Sequence, residues 1–262
     1  MKHLWTEQVQ LPAFPQLLAD KSTDVLIIGG GMAGILIARE LAQRGVDYLL
    51  VEATVIGNGT TKGTTAVLTA QHSVLYTDLA SRFGTEKAQQ YLAANLWAVE
   101  RFRNLSETID CDFENQPSMM YSRSDDHKLQ REAALVHGWG FPAEFTTETG
   151  LPFQVAGAVR YPGMAQFHPL KFLAQAANGL NIYEHSLVRK LEGTTAYTDQ
   201  GRIKARRIIV ASHFPLLNKH GFYFAKLYQK RSFVLAFANA PRLQATYVED
   251  TTSGIYLRSY GS

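Results

Sequence analysis

TDVLIIGGGMAGILIARELAQRGVDYLLVEA, residues 23–53, is the stretch whose reading decides the fold. Val25 to Ile28 is a short apolar, β-branched run that ends directly in glycines, the pattern of a strand buried on both faces. Met32, Ile35, Leu36, Ala38, Leu41 and Ala42 then recur at helical spacing, and Arg44-Gly45 supplies a cationic last turn and a glycine stop. Val46 and Tyr48 to Val51 form a second apolar run. Strand, turn, helix and strand fit into about 30 residues, the length that a parallel crossover requires.

Gly29, Gly31 and Gly34 occupy the G-x-G-x-x-G positions of this unit. Gly29 permits a tight turn, Gly31 lets backbone amides approach a pyrophosphate, and Gly34 lets helix and strand pack closely. The helix N-terminus, with Met32 and Ala33 in its first turn, then faces the phosphates. Glu52, followed by Ala53, closes the second strand, where a carboxylate accepts hydrogen bonds from adenosine ribose hydroxyls and disfavours the 2′-phosphate of NADP. A bare glycine motif also arises in ordinary turns, but here the flanking strands, helix and terminal acid are all present. FAD and NAD present the same adenosine diphosphate end, so this unit does not choose between them.

The next stretch, Gly57-Asn58-Gly59-Thr60-Thr61-Lys62-Gly63-Thr64-Thr65-Ala66, is rich in small and hydroxyl-bearing residues and suits close contact with a long ligand. It continues as TTAVLTAQH, residues 64–72. With LPAFPQLLADKSTDVLIIGGGMAGI from Leu11, VRYPGMAQFHPLKFLAQAA from Val159 and IIVASHFPLL from Ile208, it resembles the D-amino-acid oxidase superfamily of FAD-dependent oxidoreductases across nearly the whole chain. Within that superfamily the resemblance is to a bacterial branch often fused to a C-terminal Rieske domain.

That resemblance implies an α/β fold: a Rossmann-like FAD-binding domain with a parallel sheet, interleaved with an α+β substrate domain having a mixed or antiparallel sheet. Residues 1–76 and 170–215 are expected in the FAD-binding domain, and 77–169 and 216–262 in the substrate domain. The resemblance also implies that Thr60, Thr61, Thr65 and Ala66 lie beside the cofactor and that Val188, at the end of the strand expected from Asn181, contacts adenine. Some relatives tether flavin through a histidine near this segment. Residues 57–66 contain none, so non-covalent FAD is expected, with His72 a possible neighbour of the flavin. Arg206 to Ser212 reads as another buried strand ending in small residues, which brings Ala211 and Ser212 to the dinucleotide.

Ala88, Tyr91, Leu92, Asn95, Leu96, Val99, Phe102 and Leu105 keep helical spacing, so a long amphipathic helix is expected. Ser118 to Ser122 reads as a strand, Asp125 to His137 as a helix ended by Gly138, Pro142 to Pro152 as a connector and Pro169 to Ala177 as a returning helix. Phe233 to Phe237 and Ile255 to Tyr260 read as further strands, expected to roof the flavin. Flavin chemistry asks the protein for orientation, a dry pocket and tuned electrostatics. For an amine or amino-acid substrate the candidates are Arg258, to hold a carboxylate, and Tyr256, His168 and Tyr121, to position an amine. His213 and Pro215 follow the flavin-side strand.

The composition narrows the partners. The 262 residues carry 26 Lys and Arg against 23 Asp and Glu, with no basic block that would mark a nucleic-acid arm. The single cysteine, Cys111, excludes an internal disulfide and a cysteine-ligated zinc or iron–sulfur site built from this chain alone, so no metal is expected. With no apolar stretch of signal or membrane-spanning length, a cytoplasmic location is expected. The superfamily returns once more to its nucleotide domain through a Gly-Gly turn and helix that are not found before Ser262, so a C-terminally truncated chain is expected. A Rieske domain or another electron acceptor would then lie outside it.

The first functional reading is an FAD-dependent oxidoreductase that removes a hydride from the C–N bond of a small amine or amino acid. The second is a non-catalytic or incomplete FAD-binding module that needs a missing segment or partner chain. An NAD-dependent dehydrogenase is a third, disfavoured by residues 57–66.

Overall fold

The computed structural model describes residues 4–7, 9–214, 216, 222–229, 232–251 and 254–261. Two compact units emerge, each built from two stretches of chain: Met1–Thr65 with Pro169–Ala236, and Ala66–His168 with Phe237–Ser262. The sequence places these divisions at 76/77, 169/170 and 215/216. In the structure the first falls earlier because Ala66 already bonds into the second unit, its carbonyl accepting the amide of Phe167 at 3.2 Å.

The first unit opens with β1 (Lys21–Ile28), α1 (Met32–Gln43) and β2 (Tyr48–Val51). The chain then builds the second unit from β3 (Val67–Leu68), α2 (Tyr76–Phe83), α3 (Thr85–Ser106), β4 (Glu114–Asn115), β5 (Ser118–Ser122), α4 (His127–Gly138), β6 (Glu144–Thr146), β7 (Gly157–Tyr161) and β8 (Ala165–Gln166). It returns to the first with α5 (Pro169–Ala176), β9 (Ile182–Tyr183), β10 (Lys190–Glu192), β11 (Thr195–Tyr197), β12 (Arg202–Val210) and α6 (Tyr223–Lys226), and ends in the second with β13 (Thr246–Glu249) and β14 (Tyr256–Leu257).

The first unit's sheet runs β10-β11-β12-β1-β2-β9, with β12, β1, β2 and β9 mutually parallel and β10 and β11 an antiparallel addition. Leu26, Ile28, Leu49, Val51, Val188 and Ile203 fill one of its faces. Each fully buried leucine or isoleucine of this kind contributes about 1.5–3 kcal/mol. The strand expected from Asn181 to Val188 is shorter than its pattern. After Tyr183 the backbone leaves the sheet, because the amides of Glu184, His185 and Ser186 bond instead to the carbonyls of Pro15, Thr54 and Glu52.

The second unit holds a five-stranded sheet, β14-β13-β5-β7-β6, mixed because β13 joins β5 in parallel while the other pairs are antiparallel, and a small sheet, β3-β8-β4. The long helix and the strand at Ser118 stand where the spacing puts them, and β6 forms inside the expected connector. Helix α2 has no counterpart among the elements expected from the sequence, although Asp78 in its first turn, Arg82 in its last and Gly84 after it are helix signals. Its first-turn amides are capped from a distant element: the buried Glu132 carboxylate of α4 accepts the amides of Tyr76 at 2.7 Å and Thr77 at 2.8 Å, and the Thr77 hydroxyl as well.

Phe233 to Phe237 is not a strand. Phe233, Val234, Leu235 and Phe237 are exposed, and no described strand pairs with them, so their β-pattern has no ladder to join. Of Ile255 to Tyr260, only Tyr256 and Leu257 pair, with Val248 and Tyr247.

Replacing Glu132 by leucine leaves the buried amide of Tyr76, and the half-buried amide and hydroxyl of Thr77, without their acceptor. The expected cost is about 2–4 kcal/mol, read as a lower urea midpoint for the second unit.

Candidate functional site: a dinucleotide cradle and a half-buried arginine

The cradle is built by the turn between β1 and α1. Gly29 has φ +115°, a conformation that side chains resist, and a Cβ placed there would come within 2.6 Å of the Ala211 carbonyl oxygen. At Gly34 a Cβ would stand 1.9 Å from the Gly29 carbonyl oxygen. The end of β12 therefore lies against the turn, and the Ala211 amide donates to Ile28 at 2.8 Å. Ser212 follows, its hydroxyl donating to the Phe214 carbonyl.

Glu52 is fixed from both sides. One carboxylate oxygen accepts the Gly30 amide at 2.7 Å, and the other accepts the Thr54 amide at 2.9 Å and its hydroxyl at 3.3 Å. A carboxylate has about four lone-pair sites, so acceptor capacity is left for ribose hydroxyls. Thr61 reaches the helix start, its hydroxyl accepting the Met32 amide at 3.1 Å. Ala33 and Gly34 sit in the first turn, where amides have no intrahelical acceptor and meet a phosphate with the positive end of the helix dipole.

Gly29, Gly31, Gly34, Met32, Ala33, Glu52, Thr61, Ala211 and Ser212 thus gather around one turn. Ala53 is exposed just beyond Glu52, and Thr60 and Thr65 are exposed on the segment that carries Thr61. Val188 buries its side chain in the sheet core beside Leu26 and Val51. These residues fit a dinucleotide: the turn has no room for side chains, a helix N-terminus opens on it, and an oriented carboxylate ends the neighbouring strand.

In the second unit Ala66 adopts φ 55°, and its buried carbonyl accepts the Arg258 guanidinium (Nη1) at 2.9 Å. A candidate from the flavin-side segment and the candidate carboxylate binder, 192 residues apart, share a hydrogen bond. Burial pulls the guanidinium's pKa down to about 10, opposed by the negative charge of Glu114, so it stays charged at neutral pH. Gln166 bridges the surroundings, its side-chain amide donating to Glu114 at 2.8 Å and to the Ser259 carbonyl at 3.0 Å.

His168 is 1% exposed, with its ring edge-on to Tyr260 at 6.0 Å between centroids. Tyr256 is 61% exposed at the sheet edge. Tyr121 is buried on the opposite neighbour of β13, packed on Phe153 and close to Tyr247, and desolvation raises its pKa, so the phenol stays neutral. The structure thus draws Arg258, Ala66, His168 and Tyr260 around the β8 end, while Tyr121 belongs to a separate cluster. His72 bonds Asn95 at 3.1 Å. His213 has φ 60°, and Pro215 lies outside the described residues.

Three contributors escaped the sequence reading. Gly30, a free position in the motif, is sterically required: a Cβ would meet the Ile56 side chain at 2.9 Å. Gln166 offers no pattern at all. Glu184 did carry a signal, an acid inside an apolar strand pattern. It is 2% exposed, and its carboxylate accepts the amides of Ile56 at 2.7 Å and Phe14 at 3.1 Å.

Residues 24–262 match the family described as FAD dependent oxidoreductase, and the chain belongs to that family. Its cofactor is FAD, which the cradle fits. The chain is 35% identical over 245 residues to the putative Rieske 2Fe-2S iron-sulfur protein YhfW of Bacillus subtilis, covering 88% of this chain and 48% of the relative. It is 26% identical over 226 residues to the gamma-glutamylputrescine oxidoreductase of Escherichia coli, covering 79% and 52%. The chain thus spans about half the length of these curated relatives. The glycine oxidase of Geobacillus kaustophilus superposes with a TM-score of 0.67 at 22% identity, over 91% of this chain and 68% of that one, a likeness of fold. Among the described residues no helix is long and apolar enough to cross a membrane.

Gly34→Ala forces α1 away from the turn. The expected result is loss of FAD binding, measured by flavin retention on gel filtration, with about 1–3 kcal/mol of lost stability.

Proposed function

We propose that this chain is the FAD-binding part of an oxidoreductase that oxidises the C–N bond of a small amino acid or amine. The observation that carries the reading is the Arg258–Ala66 hydrogen bond, which ties a half-buried cation to the end of the flavin-side threonine segment. When bound, the flavin supplies the acceptor for a hydride from the carbon next to nitrogen. The substrate loses that hydride and one nitrogen-bound proton, becoming an imine that water hydrolyses to a carbonyl compound and ammonia or an amine.

Arg258 is assigned to the substrate carboxylate. A planar guanidinium pairs with it through two parallel hydrogen bonds, and the low local polarity that lowers its pKa strengthens the attraction. His168 is assigned to orienting the amine and excluding water, whereas Tyr121, in its separate cluster, and Tyr256, exposed at the sheet edge, lie too far from that role to be assigned it. The relatives' names support this substrate class, since one is named for gamma-glutamylputrescine and a fold neighbour for glycine. FAD is held without a covalent bond, consistent with the lack of histidine in residues 57–66.

The electrons leave to dioxygen, a quinone or a Rieske cluster carried outside this sequence, the last supported by the name of the Bacillus relative. A cytoplasmic location goes with this reading. A second reading, an FAD module that needs a further segment or partner chain, is favoured by one observation. Phe222, Phe224, Tyr228, Phe233 and Leu235, all in the first unit, are more than half exposed, an apolar run of the kind that marks an interaction surface.

The test is anaerobic mixing of the FAD-loaded protein with a panel of amino acids and amines, following loss of the oxidised-flavin absorption. Bleaching by carboxylate-bearing amines is expected, and Arg258→Met should weaken their apparent affinity about 10- to 100-fold while affecting amines without a carboxylate far less. No bleaching by any member of the panel, with FAD bound, favours the second reading. An Arg258→Met loss shared equally by both substrate classes removes the assignment of the arginine.

A further inference from the structure

Trp5, Phe14 and Leu17, ahead of β1, lie outside the range matched by the family, 24–262, yet they hold the cofactor segment at both ends. Trp5 is 3% exposed, in a short 3-10 turn (Leu4–Thr6) packed against the Thr60–Gly63 turn and α5. Its indole N–H donates to the Thr64 carbonyl at 2.8 Å. At the other end the buried Glu184 carboxylate joins the amides of Phe14 and Ile56. Leu17 then locks the N-terminal segment down, fully buried in the sheet core with its amide on the Ser186 hydroxyl at 2.9 Å.

Between the two fastenings lie residues 57–63, including Thr61, whose hydroxyl meets the first turn of α1. A glycine- and threonine-rich segment of this kind has many conformations to lose when it closes on a ligand, and holding its ends lowers that cost beforehand. We propose that residues 5–7 and 9–17 form a clasp on the cofactor segment and that Trp5 is a positioning residue for FAD, setting how long this chain retains it. The inference rests on the FAD site and not on the amine-oxidation reading.

The clasp is tested with Trp5→Phe, which keeps an aromatic ring and removes the N–H, and with Glu184→Gln, which replaces one acceptor by a donor. FAD release from the whole chain is followed on dilution by the return of free-flavin fluorescence, and melting temperatures are taken with and without FAD. Loss of one net hydrogen bond predicts release from Trp5→Phe roughly three- to tenfold faster, faster release from Glu184→Gln, and a Tm lowered more in the FAD-loaded than in the apo-protein for Trp5→Phe. Release of Trp5→Phe at the wild-type rate overturns the clasp. So does an apo-protein destabilised as much as the FAD-loaded form, since Trp5 would then serve the fold alone, and so does a wild-type chain that retains no FAD. Failure of the amine-oxidation reading is seen separately, in the bleaching assay, and leaves the release rates untouched.

Discussion

The close approach of α1 to the end of β1 is the constraint on which the first unit depends. Gly34 lies so near the Gly29 carbonyl that no side chain fits, and that distance fixes where the helix starts and where its first-turn amides point. The end of β12 completes the crowding, with the Ala211 carbonyl filling the space over Gly29. A phosphate-binding turn made this way needs no cationic side chain, because backbone amides and the helix dipole supply the positive potential. The adjacent acid, Glu52, is oriented by donors from the same turn and from Thr54.

Buried carboxylates organise both units in the same manner. Glu184 joins the amides of two loops in the first unit, and Glu132 caps a helix in the second. Burying a carboxylate is costly unless it is fully hydrogen-bonded, so each acid tolerates only the arrangement that brings its amides to it. They act as specificity devices more than as sources of net stability. Arg258 is the cationic counterpart: its half-burial is partly offset by the carbonyl of Ala66, a residue held in a left-handed conformation at the start of the second unit.

The parts legible in the sequence are those set by local periodicity. The crossover from Val25 to Val51, the long helix at Thr85–Ser106 and the strand at Ser118–Ser122 all stand close to where spacing puts them, since each carries its own apolar pattern. Phe233 to Phe237 carries an equally good strand pattern and forms none, because a strand exists only with a neighbour. Helix α2 shows a long-range contribution to a local element: its first-turn amides are capped by Glu132, 56 residues away from Tyr76.

The sequence alone determined a dinucleotide-binding crossover and, through the threonine-rich segment and its resemblance to a flavoprotein superfamily, the cofactor. Glycine spacing and apolar period act within a few residues and can be read from the order of the chain. Tertiary structure alone decided which residues meet: Trp5 with Thr64, Glu184 with Ile56, Gln166 with Ser259, and Ala66 with Arg258. Each of these is a single directional hydrogen bond across a long sequence separation. Such a bond leaves no periodic trace and depends on the packing that aims donor and acceptor at each other.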